Sequence, residues 1–245
     1  PLAPFLSSYF SIKENYVILF NLGFSAVGIL VPYLGILSDR YGKKKMLSFA
    51  LLLFIVGSVI ASLSKSPLMF AFGRTFIGLG YYSLSGTNLS YISEFISYEN
   101  RGKASGILRI AFGFATLFTP IYASNLINKF NNITSVYLPI ITLGIIAFIM
   151  LLKLPETKIE ANKQIDAQGF IKLLSDSKNK KIFASVFLIS TAPTMFFNFL
   201  GIYLNTQFNL SQIKVGLVYS AIAIGTILGI TISAIFTDKA GKLKL

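Results

Sequence analysis

Two arginines interrupt long apolar stretches of this sequence, Arg74 in Arg74-Thr-Phe-Ile-Gly78-Leu-Gly80 and Arg109 in Leu108-Arg109-Ile110. In a segment that crosses a bilayer an arginine costs at least ~2.5 kcal/mol, so it must reach a cavity, a partner or the interface. Its fork of N–H donors suits carboxylate and phosphate oxygens. Arg74 therefore either lines a polar cavity or snorkels to the interface. Arg109 either adds a second positive group to that cavity, favouring a carboxylate or an organic phosphate, or reaches lipid phosphates two turns away. Asn198 and Tyr203, with Ser190, Thr191 and Thr194, form a polar stripe on a third apolar stretch. That stripe either hydrogen-bonds a solute or ties helices together; Asn21 and Asn88 carry the same two readings.

Other chemistry is scarce. The 245 residues contain no Cys and no His, which removes the usual thiolate and imidazole metal ligands and the commonest general base. No metal, no cofactor and no enzymatic activity are expected. The nine acids are Glu14, Asp39, Glu94, Glu99, Glu156, Glu160, Asp166, Asp176 and Asp238, all in loops or at the ends of apolar stretches. Intramembrane proteolysis, which needs Ser/His or paired Asp within spans, finds no residues here. Proton coupling would need an acid outside these stretches.

The elements that hold these residues are apolar helices. Hydrophobic residues make up 54% of the chain and charged residues 13%, about half the charged share of a soluble domain. Seven stretches are long enough to span a bilayer: Tyr16–Leu37, Met46–Leu63, Pro67–Ile96, Lys103–Ile127, Ser135–Leu152, Ile182–Phe208 and Val215–Phe236. None alternates with period two, so a β-barrel is not expected. Pro1–Phe10 reads as the end of an earlier helix, and both chain ends read as truncated. Most of the 22 Lys and Arg fall in four alternate segments, Asp39–Lys45, Ser97–Lys103, Lys153–Lys181 and Asp238–Leu245. The other loops hold only Lys13, Lys65, Lys129 and Lys214. This bias places the loops of Asp39, Arg101 and Asp238 in the cytoplasm of a multi-pass cell-membrane protein. It also explains the net charge of +13 without a nucleic-acid partner. The polar segment 153–181 reads as a cytoplasmic linker, with Asp166–Ser177 as a short amphipathic helix on the membrane surface or a brace between two halves.

Two of the basic turns repeat one pattern. Gly35-Ile-Leu-Ser-Asp39-Arg40-Tyr-Gly42-Lys43-Lys44-Lys45 follows the first span, and Asp238-Lys239-Ala-Gly241-Lys242 follows the seventh. Six spans separate them, as in a duplicated bundle of six helices per half. Gly42 is expected at positive φ in a tight turn, Gly35 at a close helix approach, and Asp39 facing a helix N-terminus. Arg40 and the lysines are expected among headgroups.

The first of these turns resembles the signature loop of the major facilitator superfamily, and the second its weaker copy in the other half. The resemblance covers the whole chain. It implies an all-α membrane fold of two six-helix bundles, here running from the end of helix 1 through helix 8. Residues 1–152 would form the first bundle without most of helix 1, 153–181 the central loop, and 182–245 the start of the second bundle. Arg74-x-x-x-Gly78-x-Gly80 resembles the family's cavity arginine, which tunes a proton-carrying acid. Glu94-x6-Arg101-Gly102 and Pro155-Glu-Thr157 resemble motifs of the sugar-porter branch. With Arg40, Glu94 and Arg101 would form salt bridges that hold one state closed. Arg109 stands where sugar porters carry a cavity Gln, and the Gln-Gln-x-Ser-Gly run of their seventh helix is absent. The resemblance implies a transporter moving a small solute, a sugar-like metabolite or an organic anion, by alternating access. It would work with a co-transported proton or by facilitated diffusion. The alternative is a drug–proton antiporter, although Thr119-Pro120-Ile-Tyr-Ala-Ser lacks that group's glycines.

Overall fold

Backbone groups in lipid must pair within their own segment, so apolar stretches of this length can only be helices. The computed structural model agrees: among the described residues, 2–97, 101–157 and 175–240, every long element is helical and there is no strand. A short helix α1 (Ala3–Tyr9) leads into α2 (Glu14–Tyr41), α3 (Lys43–Ser62), α4 (Pro67–Phe95), α5 (Arg101–Phe130), α6 (Ile133–Leu152), α7 (Ser177–Phe208) and α8 (Gln212–Ala240). The amphipathic segment expected at Asp166–Ser177 lies almost wholly outside the described residues, as do Glu99, Gly241 and Lys242.

Six of these helices are long and apolar enough to cross a membrane by length and composition alone. The exception among the long helices is α4, 29 residues long but diluted by Arg74, glycines and hydroxyl residues. It tolerates that dilution because α2 and α3 cover it. Gly73 and Gly80 leave no room for a side chain: a Cβ there would lie 2.7 Å from Ala61 N and 2.6 Å from Ala50 O respectively. These small residues bring the backbones of α3 and α4 into contact, which is how helices associate where no hydrophobic effect drives them. Gly35 plays no such part. A Cβ there would meet open space, as at Gly225 and Gly229.

Helix α2 is interrupted by 3₁₀ turns at Glu14–Leu19 and Val27–Leu30. The second precedes Pro32, whose missing N–H and fixed φ prevent a regular α-turn there. Helix α5 contains Pro120, and α8 packs against it. Gly216 of α8 sits against Pro120 O and Ser124, and the Ser220 hydroxyl donates to Leu117 O at 2.6 Å. Outward residues are large and apolar, such as Ile29, Leu68 and Ile189, each more than 70% exposed. Lipid, not water, is the solvent that suits them.

The helix ends alternate between two faces. On one face the Tyr9 hydroxyl reaches Ser64 O, and Thr134 Oγ1 donates to Ser62 O at 2.9 Å. The turn after α2, the end of α4 and the segment after α6 meet on the other.

Candidate functional site: a polar cavity and a charged clasp

The first candidate region is the clasp on that second face. Gly42 adopts φ 95°, so α2 can end and α3 begin within one residue. Helix α3 has no capping side chain of its own. Thr157, 114 residues away, supplies one: its Oγ1 accepts from Lys43 N at 2.9 Å and is buried. Lys43 Nζ pairs with Glu94. Lys44 Nζ donates to Leu152 O at 3.0 Å and pairs with Glu156 at 3.3 Å. The Tyr91 hydroxyl donates to Pro155 O at 2.8 Å. Thus Glu94 is matched by a lysine of the Asp39 turn. Arg101 opens α5, but its side chain lies outside the description. Arg40 is exposed, with Cζ 5.6 Å over the Tyr41 ring, and Asp39 is exposed with no ion pair among the described residues. Asp238 and Lys239 fall in the last turn of α8, and their side chains are not described.

The second region is a cavity of about 480 Å³ lined by residues of all eight helices, α1 to α8. Its walls are mainly apolar, with Phe20, Phe54, Phe70 and Phe197 among them, and among the described residues Arg74 is the only charged one lining it. The guanidinium is half-buried, and its Cζ lies 4.9 Å from the centre of the Phe24 ring, within cation–π range. Nη2 donates to Asn21 Oδ1 at 2.7 Å, and Asn21 Nδ2 donates in turn to Asn198 Oδ1 at 3.3 Å. Arg74 is therefore joined by two amides to α7, with no carboxylate beside it.

Arg74 and Asn198 thus share one cavity, and Asn21 takes part as well. Asn88 is exposed, and so is Tyr203, which packs edge-on against Phe208 instead of lining the cavity. The side chains of Arg109, Ser190 and Thr194 are not described. A residue that sequence reasoning missed is Tyr219 of α8, which lines the cavity. Its hydroxyl accepts from Gly201 N at 3.0 Å and donates to Phe197 O at 2.7 Å. Nothing in the local pattern around Tyr219 marks it, because its partners lie on another helix.

These observations define a multi-pass helical membrane protein with a cationic cavity among its helices. The chain matches the Major Facilitator Superfamily over residues 1–245 and belongs to that family. It is 29% identical to an uncharacterized transporter of Buchnera aphidicola subsp. Baizongia pistaciae, over 77% of this chain and 50% of that protein. It is 31% identical to the uncharacterized MFS-type transporter YfiU of Bacillus subtilis, over 69% of this chain and 33% of that one. Multidrug resistance protein 3 of Bacillus subtilis is 26% identical, over 59% of this chain and 28% of its own. The chain spans about a third to a half of the length of the first of these curated relatives.

Proposed function

We propose that the full-length protein transports a small organic anion with an apolar body, and that the anion docks on Arg74 during alternating access. The observation that carries this reading is the company Arg74 keeps. A partly desolvated cation is expensive unless a counter-charge meets it, and the cavity offers only amides, hydroxyls and rings. A carboxylate would complete the site through a charge-assisted pair, and the phenylalanine walls would take an aromatic or alkyl body. In this reading residues 1–152 and 182–245 belong to two halves joined by 153–181. The Asp39, Arg101 and Asp238 turns face the cytoplasm. The clasp of Lys43, Lys44, Glu94 and Glu156, with Arg101 as a further member, braces the cytoplasmic end of the first half. A neutral sugar fits less well, since the described cavity residues offer a cation and few paired hydroxyl or amide groups.

A second reading is a drug–proton antiporter. It is favoured by the apolar walls and by the relative named as a multidrug resistance protein. Uptake by the full-length protein in proteoliposomes separates the two. The anion reading expects saturable uptake of aryl or alkyl carboxylates, reduced about 100-fold by Arg74→Ala, and indifference to lipophilic cations. Transport of lipophilic cations driven by an inward-acid pH gradient, with no carboxylate uptake, would select the antiporter. Dependence of carboxylate uptake on an imposed pH gradient would mark proton coupling.

A further inference from the structure

Helix α7 is touched in one turn by two side chains that come from elsewhere. In an unbroken α-helix the N–H of Gly201 would pair with the C=O of Phe197, four residues back. Here the Tyr219 hydroxyl bridges those two groups, accepting from Gly201 N at 3.0 Å and donating to Phe197 O at 2.7 Å. The helix runs on through this turn, so Tyr219 braces it from α8. The next residue in the turn, Asn198, accepts from Asn21 Nδ2 at 3.3 Å, and Asn21 is itself held by Arg74 Nη2 at 2.7 Å. Phe197, Asn198, Gly201 and Tyr219 all line the same cavity as Arg74 and Asn21.

We propose that the Asn21–Asn198 amide pair is a tether released by the solute: an anion on Arg74 displaces Asn21, and the Phe197–Gly201 turn of α7 then loses that tie and is freer to move. This inference rests on the anion reading above and adds the route by which binding reaches α7. Asn21 stands between Arg74 and Asn198, so an oxygen arriving from the cavity competes for the same Nη2 donor. An anionic acceptor outcompetes a neutral amide for a guanidinium. Displaced from Nη2, the Asn21 carboxamide has no fixed orientation and turns its Nδ2 toward the new anion. Asn198 then loses its donor. The outer bond of the chain is the longer one, 3.3 Å against 2.7 Å, and gives way first. The sequence of events couples a charge in the cavity to a backbone turn without a carboxylate among the described cavity residues.

The test is amide hydrogen–deuterium exchange across 197–201 in the full-length protein in lipid nanodiscs, with benzoate as probe. Without benzoate, Asn198→Ala raises exchange in this turn by up to about tenfold, the scale of one lost hydrogen bond. Asn21→Ala does the same, and the double variant shows no further rise, because both cut one link. Asn198→Asp keeps the acceptor oxygen and stays at the wild-type rate, which excludes general misfolding as the cause. Tyr219→Phe removes the brace from α8 and raises exchange in the same turn independently of Asn198. Benzoate raises exchange in the wild type and adds nothing in Asn198→Ala. Wild-type exchange in empty Asn198→Ala, or additive single variants, would overturn the tether. Arg74-dependent benzoate binding with no change in the turn would overturn the release step and leave the anion site standing. Absence of benzoate binding together with the raised exchange of Asn198→Ala would refute anion release and the anion reading alike, and leave the amide link as a static tie.

Discussion

The cations of the clasp and the cation of the cavity sit on the same stretch of protein and are treated in opposite ways. Lys43 and Lys44 meet Glu94, Glu156 and the carbonyl of Leu152. Arg74, on the same helix as Glu94, meets Asn21 and the face of Phe24. Where the protein closes on itself it supplies the counter-charge; at the cavity none of the described residues does. The contrast separates a structural use of charge from a receptive one. Composition alone does not make that distinction, because both regions simply read as basic.

The contrast is broken most severely by giving Arg74 what the lysines already have. Asn21→Asp places a carboxylate at the acceptor that Arg74 now uses. Carboxylate uptake in proteoliposomes is expected to fall by about 100-fold, because a solute would have to displace a half-buried ion pair. Thermal stability of the purified protein should hold or rise.

Next in size is damage to the helix that carries both regions. Gly80 lies on α4 between Arg74 and Glu94, and a side chain there would strike Ala50 O and Phe54 N. Gly80→Val should destabilise the protein by about 1–3 kcal/mol, the range for overpacked cores, read as a lowered temperature of aggregation on size-exclusion chromatography. Gly35→Ala, which adds a methyl to open space, should leave that temperature unchanged.

Smaller effects belong to the clasp. Thr157→Val keeps the shape but removes the acceptor for Lys43 N, and about 1 kcal/mol of stability should be lost, as for other helix caps. Lys44→Met should cost less, within about 0.5 kcal/mol, because its partner Glu156 is 64% exposed and water screens the pair. Neither change should alter carboxylate affinity in the cavity; a matching loss there would mean that the two regions are not separable.

Much of this was legible in the chain. The spans declare themselves because lipid demands unbroken apolar runs, and Arg74 declares itself because it violates one. Among the described residues, the basic Asp39 turn does share a face with the end of α4 and the start of the 153–181 segment. The tight turn at Gly42 is likewise readable, since a short connection between two helices needs positive φ. Pairings were less readable. Glu94 took Lys43 from a turn 51 residues away, a choice fixed by the packing of α3 on α4 and not by motif spacing. Glycines look alike in a sequence, yet Gly73 and Gly80 carry a helix seam while Gly35 faces open space. The link from Asn21 to Asn198 crosses 177 positions, and amides within spans serve packing as readily as binding. Tyr203, expected among the cavity residues, is exposed, while Tyr219 of the next helix lines the cavity.

Affinity for a charged and an uncharged twin, measured by calorimetry on the full-length protein, tests the cationic cavity most directly. Benzoate and benzamide share a ring and a shape and differ in charge. Wild type should prefer benzoate by tenfold or more, as a charge-assisted pair implies, and Arg74→Met should erase the preference. Equal affinities in the wild type, or a preference that survives Arg74→Met, would contradict the account.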